Sequence, residues 1–136
     1  MGVTFDEIRE SLKQSYELTD DEHLLMRFLF TIPETNRQQG IAITEVELTD
    51  GKRYLHLNTP VASLSSIDPV LCLKINTMQP IGHLAATDIE GEPYIIMCEN
   101  LPYTTLSLDE LKYVVEHLAR TADRLEESLM QGEDLY

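Results

Sequence analysis

The stretch Leu106–Met130 constrains this chain more than any other. It reads as one long amphipathic helix with its start signal intact. Ser107 stands at the N-cap, where its hydroxyl accepts a bond from an otherwise orphaned backbone N–H. Glu110, three residues on, completes a capping box, and Leu106 with Leu111 forms the hydrophobic staple around it. Leu111, Val114, Val115, Leu118, Ala122, Leu125 and Leu129 recur at helical spacing as one apolar stripe. Asp109, Lys112, Glu116, Arg120, Asp123, Glu126 and Glu127 occupy the opposite side, and Gly132 supplies a stop. A stripe of that length requires a large apolar partner, and the upstream strands can supply it as a sheet.

Taken in order, the chain opens with a second capping box, Thr4 and Glu7, stapled by Val3 and Ile8. The helix it starts carries Phe5, Ile8 and Leu12 on one face and ends near Gln14 to Tyr16. Thr19–Glu22 reads as an acidic turn. Leu24–Ile32 alternates as a strand, with Leu24, Met26, Phe28, Phe30 and Ile32 on one side and Leu25, Arg27, Leu29 and Thr31 on the other. Gly40 is read as a turn before a second strand, Ile41–Leu48. Asp50-Gly51 signals a type I′ hairpin into a third strand, Lys52–Thr59, which Pro60 ends. Asp68 and Pro69 open a short second helix that Pro80 closes. Ile81–Ile89 and Pro93–Glu99 form a last hairpin around Glu90-Gly91. The order is α-β-β-β-α-β-β-α: an α+β fold with helices packed on a twisted antiparallel sheet. Residues 1–131 read as one domain and 132–136 as a loose tail.

Charge narrows the partners. The chain has 136 residues and a formal charge of −14. A polyanion is repelled by nucleic acid and by anionic membranes, so neither is the expected partner. No apolar run approaches membrane-spanning length, and Met1–Leu12 lacks the pattern of a signal peptide, which points to a cytoplasmic protein. Cys72 and Cys98 form no CxxC pair; free thiols in a reducing compartment and a bridge between them both fit.

Chemistry-bearing motifs are missing. His23, His56, His83 and His117 show no zinc spacing, and Asp20-Asp21-Glu22-His23 lacks the glycine and terminal Glu of a calcium loop. There is no GxSxG elbow and no glycine-rich phosphate loop. No catalytic residue, cofactor or metal is expected. The second side of the first strand is half apolar. Leu25 and Leu29 there, with Leu55 and Leu57 on the third strand, mark either core, a dimer contact, or a groove for an extended peptide added to a sheet edge. Val70, Leu71, Leu73 and Ile75 spread around the girth of the second helix, so that helix needs partners on two sides and is the expected homodimer interface.

The element order resembles the bacterial type III secretion chaperones of the Tir-chaperone class and the YbjN-like proteins. The local match is best in Leu64-Ser65-Ser66-Ile67-Asp68-Pro69, Pro80-Ile81-Gly82-His83-Leu84 and Leu106-Ser107-Leu108-Asp109-Glu110-Leu111. The resemblance implies an α+β fold, often homodimeric, and a non-enzymatic role in binding an extended segment of a client protein. Two rival readings are a small-molecule-binding or enzymatic domain with a site assembled from His56, His83 and Glu99, and a structural subunit of a larger assembly.

Overall fold

A computed structural model describes residues 3–130, apart from the side chains of Thr104, Leu129 and Met130. Leu129 of the stripe, the Gly132 stop and the tail 132–136 lie outside the described residues. The elements run α1 (Phe5–Lys13), β1 (Leu18–Glu22), β2 (Leu25–Thr31), β3 (Gln38–Glu47), β4 (Arg53–Ser63), α2 (Pro69–Asn76), β5 (His83–Ile89), β6 (Glu92–Pro102) and α3 (Leu108–Met130). The strands form one antiparallel sheet in the order β1-β2-β3-β4-β6-β5. This is the expected α+β architecture, with one strand more than the reading above contains.

The caps do what their side chains dictate. The Thr4 hydroxyl accepts from the Glu7 N–H at 3.2 Å, the Asp68 carboxylate from Val70 at 2.9 Å, and the Ser107 hydroxyl from Glu110 at 3.1 Å. All three helices then bury their apolar sides against the same face of the sheet. Phe5, Ile8 and Leu12 of α1, Cys72 and Ile75 of α2, and Leu111, Val114, Val115, Leu118, Ala119, Ala122 and Leu125 of α3 join one core. Their partners are Met26, Phe28, Phe30, Ile41, Ile43, Leu55, Leu57, Leu84, Ile95 and Met97. Among the described residues, the other face of the sheet carries no helix.

The acidic segment read as a turn is the edge strand β1, paired antiparallel with β2. Its charges are met rather than avoided: Asp21 binds Arg9 and Lys13 of α1, and Asp20 binds Arg27 of β2. The two hairpins also differ in kind. Gly51 alone has positive φ in the β3–β4 connection, so that loop is not type I′. The type I′ turn is Glu90-Gly91, with φ of 52° and 82°. Gly40 does not turn the chain; it lies within β3 opposite Leu29.

Leu118 sits mid-stripe with no exposed surface. Leu118→Ala is expected to cost roughly 2–5 kcal/mol through lost transfer energy and a cavity. Ser107→Ala is expected to cost about 1 kcal/mol by removing the cap. Urea melts check both, and a Leu118→Ala change within error would mean that the stripe carries no weight.

Gly82 generates a second expectation. It holds φ +85°, and a Cβ there would stand 2.6 Å from Leu118 Cδ2 and 2.9 Å from Met97 Sδ. Gly82→Ala combines backbone strain with overpacking and is expected to cost about 2–4 kcal/mol in the same melts.

Candidate functional site

The helix-free face is built by strand register. Leu25 pairs with Thr44, which pairs with His56, which pairs with Asn100. Arg27, Ala42, Asn58, Cys98 and His83 form the next row, and Leu29 lies opposite Gly40. Leu25 is half-buried and Leu29 is 48% exposed. By this parity β2, β3, β4 and β5 place no carboxylate on the open face, and β6 places only Glu92, beside the β5–β6 turn. Asp20 and Glu22 of edge strand β1 complete the strand carboxylates on that face. A chain with 24 Asp and Glu thus keeps the middle of one broad surface free of them.

Leu55 and Leu57 do not share this surface. They pair with Glu45 and Ile43, which puts them on the helix-bearing side, and both are fully buried. Strand alternation alone cannot say which side of one strand faces which side of another; the cross-strand register decides it, and it opposes them to Leu25 and Leu29.

The second helix splits the four residues expected at an interface. Ile75 is buried in the core and Leu71 packs half-buried against it. Val70 and Leu73 point away, 56% and 66% exposed, and Met78 just past the helix is 56% exposed. Beside them lies the free edge of the sheet. The Asn76 carboxamide donates to the Leu84 carbonyl at 3.1 Å and accepts from the Leu84 N–H at 2.6 Å, standing in for a neighbouring strand. Because the Leu84 N–H and C=O point away from β6, to Asn76, period two also turns the N–H and C=O of Ala86 and Asp88 to the outer edge of β5.

A cavity of about 780 Å³ opens between the α1 start, the β1–β2 turn and the β3–β4 hairpin. The α1 start, the β3–β4 hairpin and Tyr103 enclose it, with Phe5, Leu24, Leu48, Tyr54 and Pro102 among its walls. Glu45 lines it with a side chain only 10% exposed. The Tyr103 hydroxyl donates to Glu45 Oε1 at 2.8 Å; burial first, then that carboxylate, hold the phenol protonated far above its usual range. Arg53 Nη1 stays 3.8 Å from Oε2, beyond hydrogen-bonding reach. Glu45 and Tyr103 were not singled out in the sequence. The available signal was parity: Glu45 follows Ile41 and Ile43 on the inward side of β3.

His56, His83 and Glu99 do not converge. His56 Nδ1 meets Asn100 Oδ1 at 2.7 Å, and His83 Nε2 lies 3.2 Å from Cys98 Sγ, on the open face. Glu99 is on the other face, accepting from the Gly82 N–H at 3.1 Å. Both cysteines are buried free thiols. Among the described residues, no three His, Cys, Asp or Glu side chains gather as metal ligands would, and no helix is long and apolar enough to cross a membrane.

No protein-family model and no curated protein sequence gives a significant match to the chain. Among solved structures, the chain is similar to one in the HopA1–SchA chaperone–effector complex, with a TM-score of 0.61 and 17% identity. The match covers 90% of this chain and 89% of that one. At this identity the likeness establishes a shared fold.

Burial, and then the charge of Glu99, push the Cys98 thiol up from its ordinary 9.0 to about 11. The folded state therefore keeps a proton that the unfolded chain begins to release near pH 9. Stability from this group is complete below pH 9 and is lost as pH rises to about 11. Urea melts between pH 8 and 11 should show a shallower loss for Cys98→Ala than for wild type, by about 2 kcal/mol across that window. Parallel curves would remove Cys98 from the alkaline transition.

Proposed function

We propose that this protein is a non-enzymatic, cytoplasmic, chaperone-like module that binds an extended segment of a client protein. The observation that carries this reading is the open sheet face: broad, free of helices, nearly free of carboxylates, and bearing Leu25 and Leu29 on a chain of charge −14. A surface of that composition suits a neutral or apolar polypeptide, while the acidic remainder disfavours nonspecific association. The likeness in fold to a chain of a chaperone–effector complex supports the same class of role. On this reading the client lies across Leu25 and Leu29, and no cofactor takes part.

We further propose a homodimer through Val70, Leu73 and Met78. Those three exposed apolar side chains occupy one corner of the molecule, and a twofold axis is the commonest way to cover such a patch. Membership in the type III secretion chaperones or the YbjN-like proteins is the narrower form of the proposal.

Affinity capture from the source cell, followed by titration of the purified captured protein and its fragments, tests the client site. A short segment should retain the affinity, and Leu29→Glu should weaken it at least about tenfold, as expected for burying an unpaired charge. Unchanged affinity in Leu29→Glu would remove the client from this face. Sedimentation equilibrium at tens of micromolar should give a dimer for wild type and a monomer for Leu73→Glu. A wild-type monomer would sink the dimer, and a dimer indifferent to Leu73→Glu would move its interface.

A further inference from the structure

We infer that the cavity beside the start of α1 takes a basic side chain, lysine or arginine, of the bound segment, with Glu45 as its counter-ion. This rests on the client-binding reading and adds a chemical preference to it. Glu45 faces the helix-bearing side, but Tyr54 and Pro102, which share the parity of His56 and Asn100, carry the lining round to the open-face side, so a segment lying on Leu25 can reach the cavity around that end of the sheet.

The cavity is built for a group with an aliphatic stem and a donor at its tip. Phe5, Leu24, Leu48 and Pro102 give apolar walls, and Glu45, its side chain 10% exposed and 3.8 Å from Arg53, is the least exposed charged group among them. Tyr103 satisfies Oε1, while among the described residues Oε2 has no partner within hydrogen-bonding distance. Oε2 is open to the cavity, and a carboxylate oxygen on a side chain only 10% exposed is best met by a charged N–H donor, since such bonds are the stronger kind. A neutral apolar occupant would seal that oxygen away unpaired, and an anion would meet the carboxylate directly.

The rim carries Lys52 and Arg53 as well as Asp6. Arg53 is 57% exposed and is drawn also toward Glu47, at 3.6 Å. Exposed charges of this kind are screened by water and salt, whereas Glu45 at 10% exposure is screened much less. The buried group therefore sets the preference at the bottom of the cavity. At longer range the net charge of −14 also favours a cation.

The test is a ¹⁵N NMR titration of the full chain with acetyl-Leu-Lys-Leu-amide and with its norleucine isostere, acetyl-Leu-Nle-Leu-amide. The lysine peptide should give saturable amide shifts centred on Phe5, Glu45, Tyr54 and Tyr103. The norleucine peptide should bind about tenfold more weakly, the worth of one charge-assisted hydrogen bond. Glu45→Gln should abolish the difference. The two-peptide comparison uses wild-type protein only, so it stands even where Glu45→Gln fails to fold. Equal affinities, shifts centred elsewhere, or no saturable shift would each overturn the inference. The client reading fails separately, through the Leu29→Glu titration, because that variant leaves the cavity walls intact.

Discussion

The contact between the α3 stripe and the inner faces of β3, β4 and β6 is the constraint on which the rest of the molecule depends. Leu111, Val115, Leu118, Ala119 and Ala122 have no exposed surface there. Each large side chain so buried contributes about 1.5–3 kcal/mol, and the two alanines let the helix lie close to the strands. The contact also fixes sheet parity. A one-residue slip of any strand would carry its apolar set to the open face and its polar set under the helix. Which side chains face outward, and with it the scarcity of strand carboxylates in the middle of that face, follows from this packing. Gly82 is a local consequence, since Leu118 fills the space where any Cβ would stand.

Charged contacts fasten the margins that the stripe does not reach. Arg37, on the β2–β3 connection, donates three bonds of 3.0–3.1 Å to both oxygens of Asp123, which is 8% exposed on α3. A bidentate pair of this kind orients as well as binds. At the other margin Arg9 of α1 donates to Asp21 at 2.6 Å and to the Glu22 and His23 carbonyls at 2.6 and 2.9 Å. That side chain ties α1 to the edge strand, and with Lys13 it explains why so acidic a segment is held as a strand. β1 is a charged edge, a poor template for unplanned pairing.

Helices were legible because their caps and stripes are local. Thr4, Asp68 and Ser107 all make the bonds that their positions imply. Strand existence was legible from alternation, with β1 the exception. Its apolar content is a single residue, Leu18, and its charges are answered from α1 and β2, so no window of sequence displays its pattern. The site residues divide on the same principle. Leu29 stands exposed on the second side of β2, which alternation alone left open between core, dimer contact and groove, and Leu55 and Leu57 needed the register between strands to be assigned to the core. Ile75 is inward because α2 has one face on the core, which four apolar residues spread around a short helix do not disclose. Glu45 and Tyr103 are 58 positions apart, and only the fold brings them to one cavity.

Charge placement links the fold to the proposed role. The solvent faces of α1 and α3 carry Asp, Glu and Arg in quantity, and β1 adds Asp20, Asp21 and Glu22. Around Leu25 and Leu29 the open face carries Ala42, Thr44, His56, Asn58 and Asn100, and the charge of Arg27 between the two leucines is answered by Asp20 of the edge strand. A surface left open only for solubility gains most from carrying charge, and this chain has charge to spend. Keeping the face neutral costs solubility unless something covers it. A transient occupant resolves the conflict, because the acidic remainder protects the free protein between encounters. A permanent cover would instead favour the fully apolar composition found at obligate interfaces, and the mixture of Thr, His and Asn here is closer to a surface that is alternately wet and covered.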